Sequence, residues 1–96
     1  MKTREEALKN AKTYLKNKEV VYSSLDDIDA ITFKSASEME RPLPAGKYKG
    51  EKLDLYTVSF GQLWGLEERG LFIKIDANTG EEVLVITPHG YLEDEG

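Results

Sequence analysis

The sequence predicts an α+β domain in two layers, with an N-terminal helix on one face of a roughly four-stranded antiparallel sheet. Three observations carry that prediction. Apolar residues recur at helical spacing from Thr3 to about Asn17. The segment Leu53 to Phe60, LDLYTVSF, alternates with the period of two expected of a strand. The stretch Gly70 to Ile86, GLFIKIDANTGEEVLVI, sets two apolar runs on either side of the turn-rich Asp76-Ala77-Asn78-Thr79-Gly80.

The helix opens on Thr3 followed by Glu6, a T-x-x-E capping box in which each side chain satisfies a free amide. Ala7, Leu8, Ala11, Tyr14 and Leu15 form its apolar stripe, and the two alanines let it lie close to a sheet. Lys9, Lys12 and Lys16 form the opposite, solvated face, and Asn17 with Lys18 ends the element. Glu19 to Ser24 reads as a short β-prone or extended linker, after which Ser24 or Asp26 is placed to cap one further helical turn.

Ile28 to Phe33 alternates, with Asp29, Ile31 and Phe33 on one face, and is assigned as a strand. Ser35 to Glu51 is a loop, because Pro42, Pro44, Gly46 and Gly50 interrupt any regular element. Leu53 to Phe60 follows as a strand, and Gly61 to Gly70 as a second long connection that contains Leu63, Trp64 and Leu66. Leu71 to Asp76 and Glu82 to Thr87 are the hairpin strands, apolar on both faces as central strands are. In the turn, Asn78 and Gly80 tolerate positive φ and the Asp76 carboxylate is placed to accept from the amides just ahead. Pro88 stops the last strand, and the acidic residues after Leu92 read as a frayed end.

The chain of 96 residues suits a single domain over 1–96. It has no cysteine, which excludes disulfides and thiolate metal sites. No apolar run reaches the ~20 residues of a membrane span, and Met1 to Val20 has no signal-peptide core. The expectation is a cytoplasmic protein, or an extracytoplasmic one if a signal peptide has been removed. A net charge of -5 argues against nucleic acid as the main partner, and no membrane is expected. The oligomeric expectation is a monomer or a homodimer.

No catalytic, cofactor or metal constellation stands out. His89 is the only histidine and reads as an exposed loop residue. No G-x-S-x-G elbow or phosphate loop is present. Asp76 to Gly80 departs from a calcium loop, since Gly80 comes one position early and the twelfth position is Thr87. The residues selected as partner-binding are Trp64, Leu63 and Leu66 in one connection and Arg41 and Tyr48 in the other. Tryptophan is enriched at binding hot spots, and long connections are where recognition residues tend to lie. For the two groups to form one surface, the Arg41 to Lys49 loop must fold back over the sheet.

The chain resembles the PepSY domain family in three pieces. These are Glu5-Glu6-Ala7-Leu8 at the helix start, Tyr56-Thr57-Val58, and Phe72 to Glu81, FIKIDANTGE. The resemblance implies a non-enzymatic binding or protease-inhibiting module with no catalytic residues to carry over. The helix start and terminal hairpin are also similar to those of some small bacterial toxin-immunity proteins. That likeness implies a protein that occludes a toxin site, its acidic surface suiting a basic nuclease toxin. The expected function is therefore a protein-binding module without catalysis. Two alternatives stand beside it: a small-ligand or enzymatic domain with a pocket between helix and sheet, and a structural dimerising subunit.

Overall fold

The computed structural model describes residues 1–88 and 90–92. Among those residues there is one α-helix, α1 (Arg4–Asn17), and it packs on one face of an antiparallel sheet. The strands are β1 (Ser24–Leu25), β2 (Thr32–Lys34), β3 (Leu55–Trp64), β4 (Glu67–Asp76), β5 (Glu82–Thr87) and β6 (Gly90–Leu92). Their order is β1-β3-β4-β5-β6, and β2 pairs with the same edge of β3 as β1 does. The α+β class and the helix-on-sheet arrangement are as the sequence predicts, with six strands in place of the expected four.

The helix starts as its residues dictate. The Glu6 amide donates to Thr3 Oγ1 at 3.2 Å and the Thr3 amide donates to Glu6 Oε1 at 3.3 Å, closing the capping box. It ends in a Schellman motif: Glu19 N–H donates to the Lys16 carbonyl and Val20 N–H to the Leu15 carbonyl. Glu19 takes φ of 56°, the left-handed conformation that usually falls to glycine. Val20 then folds back against the core.

Ala7, Ala11 and Leu15 are fully buried and lie against Val58, Phe60, Ile73, Ile75 and Val85. The alanines bring the helix axis close to the sheet, so that one narrow stripe suffices to seal this face. The other face has a partial cover. The loop from Met39 to Leu53 places Leu43 and Ala45 against Leu55, Val83 and Leu84. A bulge in β5 makes this possible, because Lys74 pairs with Leu84 and Ile75 with Glu82, leaving Val83 as an extra residue. Two successive side chains, Val83 and Leu84, thereby join the cluster under the loop.

Three assignments change. Ile28–Ala30 is a 3-10 turn, and the strand here is confined to Thr32–Lys34. Asp26 is not a helix cap: its carboxylate accepts from the Ser59 amide at 2.8 Å, while its own amide donates to the Ser59 carbonyl. It thus fills the gap that the 3-10 turn opens in the ladder between β1 and β2, where Ser59 would otherwise lack a partner. The third change is the largest. Gly61 to Gly70 is no connection but the extension of β3 and β4 into a hairpin of two ten-residue strands. Its turn is Gly65-Leu66 alone, with Gly65 at φ of 70°, as a two-residue turn with glycine first requires.

The Asp76 turn behaves as expected in its carboxylate, which accepts from the Asn78 amide at 2.8 Å and the Thr79 amide at 3.4 Å. Gly80 has φ of 78°, whereas Asn78 does not use the left-handed region. The strand β6 beyond Pro88 is additional to the sequence reading. His89 and the acidic residues 93–96 lie outside the described residues.

Candidate functional site

The hairpin tip is built by strand extension. Beyond Phe60 and Leu71 the two strands run on past the edge of the helix, so their side chains lose the cover that α1 gives the core. Leu63 is 67% exposed and Leu66 fully exposed at 103%. Trp64 is 36% exposed, and its indole N–H donates to Gln62 Oε1 at 2.9 Å. Gln62 in turn donates from Nε2 to the Val21 carbonyl at 2.9 Å, which holds the linker after α1 beside the tip. That linker contributes Val21, 83% exposed, and Tyr22. Val21, Tyr22, Leu63 and Trp64 line one shallow depression at this end of the molecule. The two linker residues were missed in the sequence, and no local signal there distinguishes them from a spacer.

The carboxylates near the tip are already engaged. Glu67 pairs with Arg69 at 2.7 Å, and Glu68 accepts from the hydroxyls of Ser23 and Ser24. The tip therefore presents apolar surface framed by satisfied polar groups. Isolated exposed apolar residues are ordinary; here Val21, Tyr22, Leu63, Trp64 and Leu66 are exposed together at one end of the molecule.

Arg41 and Tyr48 do not join this cluster. The loop that carries them does fold back over the sheet, but onto the face opposite α1 and at the Leu55 end of β3. Trp64 lies on the α1 side, lining a recess with Tyr14, Leu15 and Phe60. Leu63 shares the loop's face but stands six residues along β3 from Thr57, or about 20 Å at the strand rise. One surface combining the two groups is thus ruled out by the register. Tyr48 has a structural partner: its hydroxyl donates to Glu81 Oε2 at 2.7 Å, and Lys47 Nζ reaches Glu81 Oε1 at 3.3 Å. The Tyr48 bond, with the Lys47 ammonium behind it, holds the Glu81 carboxyl below its usual range and raises both partners. This triad pins the loop to the start of β5. Arg41 is exposed on the rim of the open groove beside the loop.

The recess between helix and sheet is lined by Tyr14, Leu15, Val20, Phe60, Gln62, Trp64, Leu71, Val85 and Thr87 and measures about 250 Å³. That falls short of the ~300–1,000 Å³ of ordinary ligand sites, and its wall is almost wholly apolar. Among the described residues no group of three or more His, Asp or Glu is placed to hold a metal ion. Among the same residues no helix is long and apolar enough to cross a membrane. Compared with protein-family models, curated proteins and solved structures, the chain matches none.

Proposed function

We propose that this chain is a non-enzymatic protein-binding module, of the PepSY-like or immunity-like kind, that occludes a partner surface with its β3–β4 hairpin tip. The observation that supports this reading is the cluster of Val21, Tyr22, Leu63, Trp64 and Leu66, exposed together at one end of the molecule. Tryptophan and tyrosine supply large contact area at low conformational cost, and a two-residue turn presents them on a rigid ribbon. The complementary partner has an apolar cleft that admits a hairpin about two residues wide.

Leu66 is the cleanest probe because its side chain touches little in the folded chain. Leu66→Asp should leave the urea midpoint nearly unchanged while weakening partner binding by about 2 kcal/mol or more. The binding assay is immobilised wild-type chain against immobilised Leu66→Asp, with captured proteins quantified from the same extract and the main ligand then purified and titrated. Equal titration curves for the two chains would overturn the hairpin as the binding element. A wild-type dimer in analytical ultracentrifugation that Leu66→Asp dissociates would assign the tip to self-association instead.

A further inference from the structure

The sheet face opposite α1 is only partly covered by the Met39 to Leu53 loop. Beside the loop lies an open groove of about 420 Å³. Its floor and walls include Leu43, Leu55, Leu84, Ile86 and Tyr91, contributed by the loop and strands β3, β5 and β6. Three cations line the same groove, Lys34 from β2, Arg41 from the loop and Lys74 from β4, against the single carboxylate of Glu40. Among the described residues none of the three cations has a carboxylate within ion-pair distance. That is unexpected on a chain with a net charge of -5, where a surplus of carboxylates is at hand.

Lys74 is the informative member. It sits mid-sheet, with Thr57 of β3 and Leu84 of β5 as its cross-strand neighbours. Its ammonium donates to Thr57 Oγ1 at 2.8 Å. An ammonium has three donors, and Thr57 takes one of them at the groove wall. Burial against the apolar floor, with Lys34 nearby, holds Lys74 below the usual lysine range. A half-buried cation with spare donors beside apolar walls is the complement of a molecule that joins one anionic oxygen pair to an apolar body.

We propose that this groove binds a small free monocarboxylate with an apolar body, its carboxylate on Lys74 and its body along Leu84, Ile86 and Tyr91. Lys34 and Arg41 on the rim favour entry of the anion and exclude cations of the same shape. The site is distinct from the hairpin tip and does not depend on it.

The test titrates the 15N-labelled full chain with decanoate, decanol and decyltrimethylammonium, which share a chain and differ in head-group charge. Decanoate should move the amide resonances of Lys74, Leu84 and Tyr91, and decyltrimethylammonium should leave them in place at the same concentration. Lys74→Met should weaken decanoate by about tenfold or more while leaving decanol unchanged, since only the charged partner is lost. Its far-UV spectrum and melting curve establish that the variant is folded. Lys34→Met, on the exposed rim, should give a smaller loss in the same direction. Equal binding of the three amphiphiles, or of decanoate to wild type and Lys74→Met, would overturn the proposal. So would decanoate shifts confined to Leu63 to Leu66. Shifts at Lys74 and Tyr91 that grow with protein concentration alone would assign the face to a second copy of the chain and overturn it as well.

Discussion

Replacing Gly80 by alanine tests the account of the Asp76 turn at the point where helix and sheet are joined. Gly80 has φ of 78°, and Asn10 of α1 donates from Nδ2 to its carbonyl at 2.9 Å. A Cβ built on Gly80 would stand 2.6 Å from that same Nδ2. Two costs follow. The left-handed backbone costs an L-residue about 1–2 kcal/mol. Asn10 must also withdraw, which removes a part-buried hydrogen bond with a net value of about 0.5–1.5 kcal/mol. Gly80→Ala should therefore lose about 1.5–3.5 kcal/mol, or roughly 6–28 °C in Tm for a domain of this size.

Gly65 provides the internal reference. Its φ is 70°, but nothing lies within 4 Å of its would-be Cβ. Gly65→Ala meets no neighbouring side chain and carries a backbone cost alone, one set by the glycine-first turn and not by the left-handed helical region. Urea denaturation followed by far-UV circular dichroism measures both variants, with a shared m-value as the condition for comparison. In an Asn10→Ala background the loss at Gly80 should fall by about 0.5–1.5 kcal/mol, to the backbone cost alone. An equal Gly80→Ala loss in the wild-type and Asn10→Ala backgrounds would refute the Asn10 contact as a source of that loss.

The other expected outcomes concern the helix ends, the hairpin tip and the groove lysine. Glu19→Gly should stabilise the fold by about 0.5–1 kcal/mol, because glycine relieves the left-handed strain of the Schellman position; chemical denaturation reads it directly. Thr3→Ala should cost about 0.5–2 kcal/mol in the same assay through loss of the capping box. Trp64→Ala, with 36% of the side chain exposed, should lose at most about 3 kcal/mol, taking two-thirds of ~200 Å² at ~25 cal/mol/Å². Lys74 is held below the ordinary value of 10.5, so the unfolded chain binds its proton more readily and stability rises as pH passes through the folded pKa toward 10.5. Lys74→Met should accordingly melt higher than wild type near neutral pH, and that advantage should shrink in melts taken as the pH approaches 10.5.

The parts of the fold legible in the sequence are those set by local chemistry. The capping box, the Ala7-Ala11-Leu15 stripe, the Glu82–Thr87 strand and the Asp76 carboxylate turn all rest on residues within a few positions of one another. The parts that were not legible depend on distant chain. Ile28 to Phe33 alternates like a strand, yet only Thr32–Lys34 finds a register on β3, and Asp26 supplies the missing acceptor at Ser59. The Val83 bulge is invisible in an unbroken apolar run, because it is defined by the partner strand and by Leu43 and Ala45 packing from the far loop. The groove cations are scattered over Lys34, Arg41 and Lys74, with no common motif to gather them.

The hairpin tip shows why the candidate site itself was half legible. Leu63, Trp64 and Leu66 stood out as large apolar residues between glycines, and they are exposed. Those glycines made the segment look like a loop, since glycine usually punctuates structure. Here Gly61 and Gly70 face each other in the β3–β4 ladder, inside the strands. Gly61 has a reason unrelated to turning: a Cβ there would meet Ser24 Oγ at 2.5 Å and the Glu68 carboxylate at 2.8 Å. Ser23 and Ser24 hydrogen-bond to Glu68 across that space and tie β1 and its linker to the hairpin. The same substitution of glycine for side chain that disguised the strand thus brings Val21 and Tyr22 alongside Trp64. Gly61→Val should separate them. It should disturb the linker while Gly65 still forms its turn, and lost partner binding with Leu66 unchanged would show that the linker residues belong to the binding surface.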